Sequence, residues 1–193
     1  MLKSYNFPSV YEATNQELSN VAENILDGIK LSVDDAEYIV GNLALVEGYS
    51  PHKNINPAPT DHEYKLLTNA ALLLTQPKGE EEIYLTTGFP FSTYMLYRDK
   101  ALEVLQGRHI INYDASTFGG PANARREVNV GKVEIIPEIL GCTVAIREGS
   151  LQEKDNFFIV SLGYGTCEAV VSTRAGIINR SAISTHGLRH AVN

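Results

Sequence analysis

Two hydrophobic periods alternate along this chain, one of two residues and one near the turn of a helix. Ile29, Leu31 and Val33 alternate with polar positions up to Asp34-Asp35, and Tyr38-Ile39-Val40 follows. That pattern predicts a β-hairpin turning on the two aspartates. Upstream, Leu18, Val21, Ala22 and Ile25 fall at helical spacing and predict a short helix over Glu17–Leu26. Residues 50–60 hold Pro51, Pro57 and Pro59 and read as an irregular loop. Asp61 then stands where it can cap a helix with Tyr64, Leu67, Ala71 and Leu74 on one apolar stripe, stopped by Gln76-Pro77-Lys78-Gly79.

The second half repeats the alternation. A strand over Glu82–Thr87 leads to Gly88-Phe89-Pro90, and a helix follows to about Gln106, closed by Gly107. Strands are predicted at His109–Tyr113 and Glu127–Ile136, around a Gly-Gly-Pro loop at 119–121, with a third helix opening at Pro137-Glu138. Glu148–Asn156 is a polar linker and the expected subdomain boundary. Three strand-like runs then follow, Phe157–Leu162, Cys167–Thr173 and Ile177–Ile183, turning near Gly163–Thr166 and Ala175-Gly176, with a helix expected from Gly187. Strands alternating with helices predict an α/β fold, a sheet covered by helices.

Composition narrows the function classes. The 193 residues carry a net charge of −7, and only Arg125-Arg126 pair up, with Glu127 next to them. Direct nucleic-acid binding, which needs clustered basic side chains, is not expected. The longest apolar run, Ala70–Leu74, is far short of a membrane span, and no signal peptide is expected. Cys142 and Cys167 have neither metal nor disulfide-framework spacing and read as free thiols of a reducing compartment. His186 and His190 are four apart, but no H-E-x-x-H glutamate accompanies them, so a surface pair is expected and no metal site. The aromatics Phe89, Phe91, Tyr94 and Tyr97 read as packing, and Glu80-Glu81-Glu82 as a solvated acidic run.

Gly163-Tyr164-Gly165-Thr166 is the stretch richest in candidate chemistry. As a plain hairpin it would use glycine for positive φ. As a dinucleotide loop it fails, because Glu168 replaces the third glycine and a strand follows instead of a helix. A third possibility is an anion-cradling turn, with backbone N–H groups and the Thr166 hydroxyl as donors and Glu168 in reach of a hydrated magnesium ion. The residues alone leave the first and third readings open.

VSLGYGTCEAVV resembles the second phosphate motif of actin-like ATPases, a strand ending in Asp-x-Gly-x-x-Thr-x-Asp. Ser161 stands at its first acid, Gly163 at the glycine, Thr166 at the threonine and Glu168 at the last acid. Phe7-Pro8-Ser9, Ile39-Val40-Gly41-Asn42-Leu43-Ala44, Thr87-Gly88-Phe89-Pro90 and the VEIIPE of Val133–Glu138 resemble further motifs of the same family, in its order. The similarity is to the plasmid-segregation ParM type and its archaeal relatives.

The resemblance implies an actin-like, ribonuclease-H-like mixed sheet with helices, incomplete at both ends. Residues 1–150 would form the first domain without its leading phosphate hairpin, and 151–193 the start of the second. It also implies ATP and Mg2+, with Ser161, Gly163, Gly165, Thr166 and Glu168 on the cofactor and Glu138 as the catalytic glutamate that orients the attacking water. Glu138 reads equally well as a first-turn glutamate favoured by the helix dipole. Ser161 supplies no charge where the family has an aspartate, and with the missing parts this predicts no ATP hydrolysis by the chain alone. The implied protein is cytoplasmic, self-associates into filaments and meets an adaptor protein that links it to plasmid DNA. The alternatives are a non-catalytic binding or regulatory module on the same fold, and an unrelated α/β domain whose glycines only turn the chain.

Overall fold

The computed structural model describes residues 4–53, 57–75 and 81–191. The expected helix stop at 76–79 and Glu80 lie outside them. The elements in chain order are β1 (Tyr11–Ala13), β2 (Lys30–Val33), β3 (Ala36–Val40), α1 (Asn42–Glu47), α2 (His62–Thr75), β4 (Glu82–Phe89), α3 (Phe91–Leu105), β5 (Gly107–Tyr113), β6 (Ala124–Pro137), α4 (Glu138–Glu148), β7 (Phe157–Leu162), β8 (Thr166–Thr173), β9 (Gly176–Ile177) and β10 (Ile183–His186). They form two compact units, Met1–Ile83 with Gly107–Gly131, and Tyr84–Gln106 with Lys132–Asn193.

In the first unit the strand order is β1-β3-β2-β5-β6, with antiparallel neighbours throughout. The β2–β3 hairpin turns on Asp34 and Asp35 as the alternation predicts, both at positive φ (50° and 62°). Two successive left-handed residues match the twist of the flanking strands but strain any residue with a Cβ. Asp35→Gly is therefore expected to raise stability by about 0.5–1 kcal/mol in urea denaturation. Asp34 is the wrong residue to change, because its carboxylate holds Lys65 at 2.9 Å.

Gly41, the residue before α1, has φ 68° and ψ −131°, a conformation open to glycine alone. A Cβ there would lie 3.2 Å from Phe7, and the Gly41 amide donates to the Val10 carbonyl. Phe7-Pro8-Ser9 and Val40-Gly41, separate in sequence, thus meet beside the small core of Val10, Leu18, Ile39, Leu43 and Ala44.

The helix expected over Glu17–Leu26 does not form. The amides of Asn20, Val21 and Ala22 donate to the carbonyls of Ser116 and Thr117, and the Asn24 side chain takes the Leu26 amide. Asparagine in that role competes with a helix. Leu18 is buried there, whereas Val21 is exposed. The α2 stripe is also rotated by one residue: Leu66, Ala70 and Leu73 face the core with Leu72 and Leu74, and Ala71 is exposed. The Asp61 carbonyl accepts the Lys65 amide of this helix, while its carboxylate takes the Ala58 amide. Arg126, of the one arginine pair, donates to the Leu73 carbonyl at 2.6 Å.

In the second unit the C-terminal part of β6 continues beside β4, and a further sheet has the order β10-β8-β7 with β9 also on β8. Phe157–Leu162 and Thr166–Thr173 are strands as expected. The third run, Ile177–Ile183, is not one strand. It pairs with β8 through Gly176–Ile177, leaves it for a 3₁₀ turn at Asn179–Ser181, and returns as Ile183–His186. The cause is local: the Ser181 hydroxyl takes the Val171 amide that a straight strand would have paired. Gly187 leads into a 3₁₀ turn at Leu188–Ala191.

The polar stretch Glu148–Asn156 lies inside this unit. Arg147 holds it by donating to the Glu153 and Asp155 carbonyls and to Ser172 Oγ, its guanidinium stacked 4.5 Å over the Phe157 ring. Ile139, Ile159 and Val170 form the core, with Phe91, Cys142, Ile146, Phe157, Ile177 and Ala182 packed on it.

Candidate functional site

Glu168 is an acid in the middle of a sheet, 2% exposed. It stands on β8 with Ser161 of β7 directly opposite on one side and Ser184 of β10 on the other. Directly opposed residues share a face, so a carboxylate lies between two hydroxyl-bearing positions. The same face buries Val170 and Ser172.

What makes the burial tolerable is the start of α3. That helix begins after Pro90, which offers no side-chain cap, and its first amide would be orphaned. Glu168 Oε1 accepts the Phe91 amide at 2.5 Å and serves as a cap delivered from another element. The positive end of the helix favours the charge. Beside it, Ser92 and Ser184 hydroxyls lie 3.2 Å apart.

Glu138 joins this site from α4. It is the first helical residue after Pro137, and its side chain keeps a solvent-exposed face. Gly88, at the end of β4, approaches it so closely that a Cβ would meet Glu138 Cγ at 3.0 Å. Desolvation of the carboxyl and the charge of Glu168 push the Glu138 pKa above the ordinary glutamate value. The folded value then exceeds the unfolded one. The associated stability is fully present below the unfolded pKa and is lost as pH rises through the folded pKa. Glu138→Gln is accordingly expected to raise the unfolding midpoint slightly at pH 7, with no gain at pH 3. A gain of equal size at both pH values would remove the Glu168 charge from the account.

The Gly163–Thr166 turn joins β7 to β8. The Gly163 amide donates to the Thr166 carbonyl at 2.8 Å, closing the hairpin. Neither Gly163 nor Gly165 has a left-handed φ, so the plain-hairpin reason for glycine does not hold here. Ser161 is half-buried, Gly163 exposed, and Gly165 and Thr166 half-buried.

Three stretches singled out in the sequence thus belong to one place: Thr87–Pro90 with the α3 start, Pro137-Glu138, and Ser161–Glu168. What sequence reasoning missed was the part of Phe91 and Ser184. A backbone amide has no side-chain signal, and Ser184 is marked only by strand register. Cys142 and Cys167 are free and half-buried. The His186 and His190 rings stack at 3.8 Å, both exposed, and no group of three His, Cys, Asp or Glu suited to a metal occurs among the described residues.

The family described as the actin like proteins N terminal domain matches residues 2–141. The chain belongs to the actin-like proteins. Its fold is theirs as well. An archaeal actin homologue, Ta0583, superposes with a TM-score of 0.73 at 18% identity, over 96% of this chain and 56% of that one. A ParM from Clostridium botulinum, solved as a 15-stranded filament, gives 0.69 at 19% identity over 94% and 58%. Ta0583 in complex with ADP gives 0.66 at 17% identity over 96% and 55%. This actin-like chain therefore spans a little over half the length of the relatives it matches. No curated protein matches the sequence. Among the described residues, no helix is long and apolar enough to cross a membrane.

Proposed function

We propose that this chain is a filament-forming, actin-like protein of the plasmid-segregation class, and that its second unit seats the phosphates of ATP. The observation that carries the reading is buried Glu168 directly opposite Ser161, two residues from the Gly163–Thr166 turn, with Glu138 of α4 near enough to sense its charge. The donor set fits the group. Backbone amides of the turn and the Thr166 hydroxyl suit phosphate oxygens, and Glu168 with Ser161 suits the water shell of Mg2+. Bound there, the ion would neutralise phosphate charge. Glu138, its proton held more tightly than in an ordinary glutamate, suits the orienting of a water.

In this reading residues 1–150 belong to the first actin-like domain and 151–193 open the second. Ser161 contributes a hydroxyl where the family motif has a carboxylate, so the chain by itself binds nucleotide better than it turns it over. Self-association is supported by the outer face of the β10-β8-β7 sheet, where Phe158 is 81% exposed beside Val160, Leu162 and Ile183. The protein works in the cytoplasm, and its cargo link is an adaptor protein, in keeping with a net charge of −7 and a single arginine pair in the sequence.

Calorimetric titration with ATP and Mg2+ tests the reading. Saturable binding that Thr166→Ala weakens at least tenfold supports it; no heat of binding at millimolar nucleotide sinks it.

A further inference from the structure

The Gly163–Thr166 turn is held from outside its own hairpin. Three consecutive carbonyls of the turn accept three consecutive amides of one distant segment. Gly187 donates to Gly165 O at 3.1 Å, Leu188 to Gly163 O at 3.0 Å and Arg189 to Tyr164 O at 3.0 Å. Gly187 is buried against the turn. A Cβ on it would lie 2.4 Å from Gly163 O, 2.7 Å from Thr166 N and 2.8 Å from Tyr164 O. All three are backbone atoms, and none can move without reshaping the turn. Gly187 is not left-handed, so glycine is required here for space alone.

This contact has a directional consequence. No peptide in the described chain is cis. In a planar trans peptide the carbonyl and the following N–H point to opposite sides. Tying Tyr164 O and Gly165 O to the 187–189 segment therefore aims the amides of Gly165 and Thr166 to the other side of the turn. Those are the amides that an anion on the turn would use.

We infer that Gly187–Arg189 is a positioning clamp: it fixes the peptide planes of the turn, so that the phosphate seat and the C-terminal segment are ordered together. The inference rests on the reading of this turn as a phosphate seat. It assigns Gly187, Leu188 and Arg189 a role through their backbone, with no side chain touching the ligand. Linkage then runs both ways. Anything that loosens the segment weakens the anion, and an anion on the turn tightens a segment it does not touch.

The test combines amide exchange by NMR with ATP–Mg2+ titration on the full chain. Leu188→Pro removes one donor at the first position of a 3₁₀ turn, where proline fits. Leu188→Ala, which keeps the donor and alters only an exposed side chain, is the matched conservative change. Gly187→Ala adds the forbidden Cβ. In the wild-type chain, ATP–Mg2+ should slow exchange at the Leu188 and Arg189 amides. In Leu188→Pro and Gly187→Ala, exchange at the remaining clamp amides should rise at least tenfold and affinity fall at least tenfold. Leu188→Ala should restore wild-type values of both. The Val128 amide in β6 should be unchanged in all, showing that the first unit is intact. If Leu188→Pro leaves the Gly187 and Arg189 amides protected, or loses their protection yet binds ATP–Mg2+ normally, the clamp is wrong. If the wild-type chain binds no ATP–Mg2+, the phosphate reading fails instead. The inference that depends on it falls too, while the exchange data still report whether 187–189 holds the turn.

Discussion

Lys30→Met is expected to remove about 3–5 kcal/mol of stability from the first unit, the cost of leaving a buried carboxylate without its partner. Lys30 is 3% exposed and opens β2 next to buried Leu31. Its ammonium reaches Glu37 at 2.8 Å, Asp114 at 3.3 Å and the Gln16 carbonyl at 3.0 Å, so all three donors are used. Burial pulls its pKa down, and the Glu37 and Asp114 carboxylates more than offset this.

Asp114 is the partner at risk. It is buried, and it also accepts the Ser116 amide at 2.9 Å, which fixes the 3₁₀ turn at Ala115–Phe118. That turn supplies the Ser116 and Thr117 carbonyls on which residues 20–22 hang. Losing Lys30 should therefore loosen the 14–22 segment as well as lower the urea midpoint. Glu37→Gln, at the exposed end of the network, should cost under about 1 kcal/mol. A Lys30→Met chain within 1 kcal/mol of wild type would show that the three contacts are not a unit.

The second large effect concerns Glu168, where the neutral and truncated variants should part company. Glu168→Ala leaves the part-buried Phe91 amide without its acceptor and should cost about 1–3 kcal/mol. Glu168→Gln keeps an acceptor of the same shape and should stay within about 1 kcal/mol of wild type. Both remove the charge. In Glu168→Gln, then, the fold persists while the Glu138 carboxyl, relieved of its neighbour, titrates closer to the ordinary glutamate value. NMR titration of the Glu138 side chain reads this directly. An unchanged Glu138 titration in a folded Glu168→Gln chain would mean that the two acids do not sense each other. The same variant should lose ATP–Mg2+ binding if Glu168 acts through its charge, and keep it if Glu168 acts only as a cap for α3.

How legible all this was depends on the range of the interaction. The β2–β3 hairpin was readable because alternation and a two-aspartate turn are local, and nothing distant opposes them. The 17–26 segment was misread because its hydrogen-bond partners, Ser116 and Thr117, lie almost a hundred residues away. The one-residue rotation of the α2 stripe has the same origin. Tyr64, Leu67, Ala71 and Leu74 and the set Leu66, Ala70 and Leu73 are both helically spaced, and only what packs against them decides between them. The straight third strand of the meander failed on one hydroxyl, that of Ser181.

The candidate site divides in the same way. The spacing Ser161-x-Gly163-x-x-Thr166-x-Glu168 and the Pro137-Glu138 helix start are written in the chain, because strand alternation and proline at a helix start are short-range facts. By itself the sequence determined most of the strands and helices, the net charge of −7 and the family resemblance. Only the tertiary structure decided that Glu168 caps α3 through Phe91, that Glu138 lies within reach of its charge, and that Gly187 locks the turn. Each of those is a contact through backbone atoms or across a sheet. Backbone groups are alike in every residue, so their pairing is set by where the fold brings them and leaves no trace in residue type.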